Sequence, residues 1–319
     1  MVTLEVNDQM FEPRKQEGRN NMMFRRSLFP NSVAILLAIC ILTGCSVIPQ
    51  KTIYEDYPSA GAYCQQQFAE HAETISLTCH TSDYNQIIGS DFVWGKIQAE
   101  SVVHTGHPDL GDHIAIGIME YTISSTAAQK KDGTYYLTMN VNPVYSTSLE
   151  QEQELAKKSA EILDSLRVDG ASDYDKTLAI YRYICDNVVY DYLHLDDESY
   201  LLQYSAYAAA VQGTAVCAGI ADLFYYLANS AGLDARIVTN STHAWNFVKV
   251  DGEYYYVDAT WDLGKSETEY EFFMKGSADF EHHLGNVSFG PNGFSNLLTG
   301  SDLDYDFSDW AYGYDPFAF

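Results

Sequence analysis

The chain has 319 residues, 18 basic against 44 acidic, and a formal charge of −26. That balance repels nucleic acid and anionic membrane surfaces, so a nucleic-acid partner is not expected. The length allows two domains.

Arg25-Arg26 precede an apolar run from Ser27 that ends in Leu42-Thr43-Gly44-Cys45, the lipobox word of bacterial lipoproteins. The run is about 16 residues long and interrupted by Pro30 and Asn31, whereas a membrane span needs about 20. Residues 1–45 are therefore expected to be a lipoprotein signal peptide, with Met22 or Met23 as alternative starts. Cleavage would leave a diacylglyceryl anchor on Cys45, a tether over 46–59 and an exported chain on the outer face of a bacterial membrane. Removing residues 1–45 takes away five basic and four acidic residues, so 13 face 40 and the charge becomes −27.

Residues 60–168 read as a small α+β domain of unreadable role. The pattern predicts a helix over 60–72, a strand from Thr74 to Thr81, and strands His113–Ser124 and Thr134–Val141 around the polar turn Lys130-Lys131-Asp132-Gly133. A helix follows from Leu149 to Leu166, with Leu155, Ala156, Ser159, Ile162, Leu163 and Leu166 on one side. Cys64 and Cys79 are expected to form a disulfide outside the cell, worth roughly 3 kcal/mol. Cys40 leaves with the signal peptide, and Cys185 is expected to be buried in a helix. His104, His107, Asp109, Asp112 and His113 could bind a metal, but they occupy a Gly/Pro-containing stretch without ligand spacing and read as a solvated loop.

A second domain opens at Ser172-Asp173-Tyr174-Asp175, a capping box with Asp in place of Glu, followed by Leu178, Tyr181, Ile184 and Val188 at helical spacing. After the acidic loop Asp191–Tyr200 comes Gly213-Thr214-Ala215-Val216-Cys217-Ala218-Gly219, then a helix carried by Ile220, Ala221, Phe224, Leu227 and Ala228 and ended by Gly232. Cys217 thus sits at a helix N-terminus, where free backbone N–H groups and the helix dipole favour an anion such as a thiolate. His243-Ala244-Trp245-Asn246 opens an alternating strand that runs to Asp251-Gly252, a hairpin signal, and Glu253 to Asp258 returns. With Val250 opposite Glu253, Trp245 faces Asp258 and His243 faces Thr260, so His243 and Asp258 share a face as diagonal neighbours. These three residue types suit one reaction: Cys217 attacks an acyl carbon, His243 moves the proton, and Asp258 orients the imidazole. A lone cysteine at a helix start is most often a small buried hydrophobe; it is the order and setting of all three that point to catalysis. No cofactor and no metal are required.

At these words the chain resembles the transglutaminase-like superfamily. Gly213–Gly219 is similar to its nucleophile segment, His243–Asn246 to its His strand, Val257-Asp258-Ala259-Thr260-Trp261-Asp262 to its Asp strand, and Ser205-Ala206-Tyr207 to its bacterial secreted branch. The resemblance covers about 172–265 and implies an α+β, papain-like core with a Cys217-His243-Asp258 triad, used for transglutamination, deamidation or peptide hydrolysis. Residues 266–319 would complete the core and end in an acidic, aromatic tail. Animal transglutaminases steady the oxyanion with a tryptophan ahead of the nucleophile, yet no Trp lies between Trp94 and Trp245. Gln212, as in papain-type enzymes, and Tyr207 are the expected substitutes. A strand is expected over Tyr270–Met274, and His282-His283 as structural or rim residues. The 25 tyrosines suit a carbohydrate- or peptide-contacting surface. The partners implied are a protein or peptide substrate, possible contact with the cell wall, and a membrane through the lipid. The competing class is a wall-associated binding module that kept the fold and lost the chemistry.

Overall fold

The computed structural model describes residues 52–83, 90–280, 283, 288–289 and 300–306. The signal peptide, Cys40, Cys45 and residues 46–51 of the expected tether lie outside the described residues, as do His282 and most of the C-terminal tail. The rest of the expected tether is structured instead, with a strand at Ile53–Tyr54 and a helix that starts at Tyr57.

The N-terminal half is a four-stranded sheet built from β1 (Ile53–Tyr54), β2 (Ile75–Thr81), β3 (Ile118–Gln129) and β4 (Tyr135–Tyr145), in the order β1-β2-β4-β3. Along β2 the inward side chains Ile75, Leu77 and Cys79 are all at most 1% exposed, which is how one face of a strand seals a core. Two helices cover it. The first, α1 (Tyr57–Ala69), starts where the Asp56 carboxylate accepts the Ser59 N–H at 2.7 Å. The second, α2 (Ser90–Ser101), had no clear sequence signal and presses on α1 at Gly61, where an added Cβ would come within 2.3 Å of Glu100 Cβ. Between them Phe68, Trp94, Ile97, Leu137 and Met139 form the core.

Two expectations change here. His113 to Gly117 lies in a short helix, α3 (Asp112–Gly117), rather than a strand. Gly111, at φ +67°, turns the chain, and buried partners of Asp112 and His113 hold the helical turn against the local alternation. Cys64 and Cys79 are free thiols in one apolar cluster rather than a bridged pair. Packed as small hydrophobes, they are pushed by burial to about 12 and about 11.

The second half begins with α4 (Leu149–Leu166), which has a complete capping box between Ser148 and Gln151. Its buried Leu155 and Ile162 join the core of the following elements, not that of the N-terminal sheet, and Ala156 is exposed. Next is α5 (Asp173–Asn187), capped by Ser172 accepting from Asp175 N at 3.1 Å. The Asp175 side chain accepts the Ser172 hydroxyl at 2.6 Å instead of closing a full box. Strands β5 (Val189–Tyr190) and β6 (Thr214–Ala215) pair in parallel and lead into α6 (Cys217–Ser230). Helix α6 is buried on nearly every face from Gly219 to Asn229.

A second sheet carries β7 (Asp234–Thr239), β8 (Ala244–Val250), β9 (Glu253–Val257) and, after the short α7 (Ala259–Asp262), β10 (Ser288–Phe289), in the order β10-β7-β8-β9. Asp251 and Gly252 both take positive φ (51° and 91°), and Val250 pairs with Glu253, the register the turn predicts. Residues 270–274 are not a strand. They run beside β9 through one isolated bridge, Tyr256–Lys275, because Asp262 takes the Glu271 and Phe272 N–H groups that a ladder would need. Further on, Tyr305 stacks on Tyr174 with centroids 5.0 Å apart and joins the same core. Among the described residues no helix is long and apolar enough to cross a membrane.

The histidine-rich stretch that leads into α3 is a solvated loop only in part. His107 is exposed and its ring meets Asp109, within the loop, while the other four candidate residues pin the N-terminal half to the second half. His104 Nε2 is 2.9 Å from Asp234, Asp109 accepts from the Tyr226 hydroxyl, and Asp112 holds Arg236 in a fork at 2.8 Å and 2.8 Å. His113 lies between Asp222 (2.9 Å) and Glu152 (3.0 Å).

Candidate active site

Cys217 is the first residue of α6, partly exposed, with no side-chain cap on the helix. The bend that presents it is held from behind. Val216 N–H donates to Gln203 O at 3.0 Å, and Ile220 N–H to Val216 O at 3.0 Å. Gly219 lies so close to the preceding turn that a Cβ would sit 2.7 Å from Ser205 O and 2.9 Å from Ala215 Cβ. A larger residue there would push the head of the helix away.

His243 precedes β8 and Asp258 follows β9, so the hairpin register brings them together beyond its paired residues. His243 Nε2 lies 2.6 Å from Asp258 Oδ2. The thiol of Cys217 also interacts with the His243 ring, and with Nε2 occupied, Nδ1 is the nitrogen left for sulfur. Asn246, the last residue of the His-Ala-Trp-Asn word, donates to Ala221 O at 2.8 Å and Arg236 O at 3.2 Å. One buried amide therefore fixes the spacing between the nucleophile helix and the His strand.

Asp258 is 1% exposed and its carboxylate accepts from three groups. Thr260 N–H reaches Oδ1 at 2.9 Å, while His243 and His283 both reach Oδ2, His283 through Nε2 at 2.9 Å. Burial opposes its charge, but the two imidazoles outweigh that and hold the carboxyl below the usual range. Burial likewise opposes charge on His243. The Asp258 carboxylate overrides it and, with Cys217, brings His243 up to about 10. At neutral pH this ring is an imidazolium beside the sulfur. The Tyr181 hydroxyl lies 2.8 Å from Asp258 O and 2.7 Å from Asp262 Oδ2, fixing the backbone that carries Asp258.

The two expected oxyanion residues lie elsewhere. Gln212 is exposed and accepts the Tyr200 hydroxyl at 3.1 Å, while the Tyr207 hydroxyl donates to Glu154 at 2.9 Å. The group at the sulfur is Tyr190, whose hydroxyl is hydrogen-bonded to Cys217 at both thiol and backbone. Parallel pairing of Tyr190 with Ala215 puts it there. Burial first, then the charge on Cys217, pushes its hydroxyl well above the ordinary tyrosine value, so it stays a donor. A two-residue strand 27 positions upstream leaves little sequence signal; Val188-Val189-Tyr190 after a helix was the only one. His283 was also missed as an Asp258 partner, since nothing local ties residue 283 to the hairpin.

Among the described residues His243, Asp258 and His283 are the one set whose donor atoms, within 4.8 Å of one another, could hold a metal ion. At 2.6 Å and 2.9 Å these contacts have hydrogen-bond lengths.

An antiparallel sheet backing a helix that starts on a cysteine, with a His just before one strand and an Asp just after its hairpin partner, is the arrangement of a papain-like core. Residues 161–259 match the model of the transglutaminase-like superfamily, and the chain carries that superfamily's core in an α+β fold. Among solved structures the chain is similar to a TGase (14% identity, 66% of this chain and 57% of that one, TM-score 0.31). It is also similar to a candidate cysteine protease from Cytophaga hutchinsonii (16%, 46% and 66%, 0.27) and a candidate protease from Parabacteroides distasonis (10%, 73% and 45%, 0.29). In each case less than two thirds of the other chain is spanned. No curated protein matches.

Proposed function

We propose that the protein is a cysteine acyl-transfer enzyme acting on protein or peptide amides through a thioester. The observation that carries this reading is the His243–Asp258 contact of 2.6 Å with the same ring turned to Cys217 at the head of α6. Cys217 Sγ attacks the amide carbon, forming the C–S bond as the carbonyl becomes an oxyanion. Tyr190 O–H, held at the sulfur, is the donor that receives it. As the C–N bond breaks, His243 hands its proton to the leaving amine. Water or a second amine then attacks the thioester carbon, His243 takes its proton while Asp258 holds the ring, and the C–S bond breaks to return Cys217 as the thiolate, giving hydrolysis or transamidation. Cys45 is proposed as the lipid anchor that keeps this chemistry on the outer face of a bacterial membrane.

The test is the pH dependence of iodoacetamide labelling at Cys217 in the full chain, compared with His243→Ala. Labelling that persists at pH 6 and falls on the order of 100-fold in the variant supports an activated pair, since an ordinary thiol near 8.5 is about 0.3% thiolate there. Equal, slow labelling in both proteins would instead support a silent binding module. Cys45→Ser is expected to release the chain from the membrane fraction, and an unchanged distribution would remove the anchor.

A further inference from the structure

Beside the sulfur the chain exposes apolar side chains on a rigid turn. Val189, Tyr192 and Leu193 are 63%, 76% and 84% exposed, and Tyr192 packs against Tyr190 with ring centroids 4.9 Å apart. The turn is built to show them. Asp191 is buried, and its carboxylate accepts the Leu193 and His194 N–H groups at 3.1 Å and 3.2 Å and meets His194 Nδ1 at 2.8 Å. Asp191 N–H in turn donates to Ala215 O at 3.0 Å, two residues before the nucleophile. Gln203 ties the rest of the loop down by donating to His194 O and Asp197 O, both at 3.2 Å. Across the site Trp261 is 48% exposed, its ring centroid 5.7 Å from that of His243.

Large apolar side chains held rigidly in water cost solvation free energy unless something covers them. These are continuous with the reacting centre, and the same loop continues into exposed Asp196, Asp197 and Glu198. We infer that Tyr192 and Leu193 form the specificity lip of the enzyme, taking an apolar side chain of a peptide substrate next to the acylated residue, with basic residues beyond it facing the acidic loop. This rests on the acyl-transfer reading of Cys217 and names its substrate class.

The test compares alkylation of the full chain by iodoacetamide and by three peptidyl chloromethyl ketones, acetyl-Lys-Phe-Ala, acetyl-Lys-Ala-Ala and acetyl-Glu-Phe-Ala. The Lys-Phe reagent is expected to react at least about ten-fold faster than the Lys-Ala reagent, and faster than the Glu-Phe reagent at low salt only. Tyr192→Ser with Leu193→Ser should erase the preference for Phe, read as the ratio of the Lys-Phe and Lys-Ala rates so that any change in the reactivity of the thiol itself cancels. Asp197→Asn with Glu198→Gln should reduce the preference for Lys alone. A Phe preference that is absent, or that survives in the serine variant, overturns the lip. An iodoacetamide rate insensitive to His243→Ala overturns the acyl-transfer reading instead, so the two failures are separable.

Discussion

His243, partly buried, and His113, buried, both lie against carboxylates, at 2.6 Å in one case and at 2.9 Å and 3.0 Å in the other, yet the partners of the ring nitrogens differ. His113 spends both nitrogens, on Asp222 and Glu152, and joins α3 to α6 and α4. His243 spends one on Asp258 and turns the other to Cys217. Burial opposes charge at both, and at His113 it also raises the Asp222 carboxyl. Two carboxylates around one imidazole nevertheless raise His113 well above its ordinary value, and its charge in turn holds Glu152 down. A buried histidine with both nitrogens taken is a clasp, while one with a free side can move a proton.

The sharpest way to separate the two is to remove each. His113→Ala leaves Asp222 buried without its cation and is expected to cost about 3–5 kcal/mol of stability in urea unfolding. The folded fraction should label at Cys217 at the wild-type rate. Asp258→Asn should reverse the pattern, bringing His243 from about 10 back towards its ordinary value in an NMR titration and slowing Cys217 labelling at pH 6 by roughly 100-fold. Asn246→Ala, which cuts the tie between α6 and β8, is expected to cost about 2 kcal/mol and to slow labelling as well, a mixture neither histidine gives. The smallest effect is on pH. Both histidines are raised in the folded state, so their contribution is complete below the unfolded value near 6.5 and fades as pH rises, that of His243 through about 10. Asp258 and Glu152 are depressed, so theirs is present above about 4 and is lost as pH falls through their folded values. Melting temperatures should therefore decline from pH 7 to 10, and less steeply in His113→Ala; an equal slope would break the assignment.

How much of this was readable from sequence depended on whether the partners are local. Asp251-Gly252 fixes a register, and register carries His243 to Asp258 across a hairpin of only 16 residues. The helix after Cys217 shows its own periodicity. The donors at the sulfur did not show, because Tyr190 arrives through a parallel pairing and parallel pairs join segments distant in sequence. Gln212, nearer in sequence, is turned outward to Tyr200. The stretch from His104 to His113 was misread for a related reason. Its charges look solvated until Arg236 and Asp222, more than 100 residues away, come into place to bury them.

The burial of α6 has a consequence for how the chain comes into being. Its walls are drawn from both directions, with Ile116 and His113 made before Cys217 and the hairpin and Tyr305 made after it. On the ribosome the cysteine therefore emerges before the imidazole and the carboxylate that flank it, and the site is assembled only once His243, Asp258 and His283 have been added and docked.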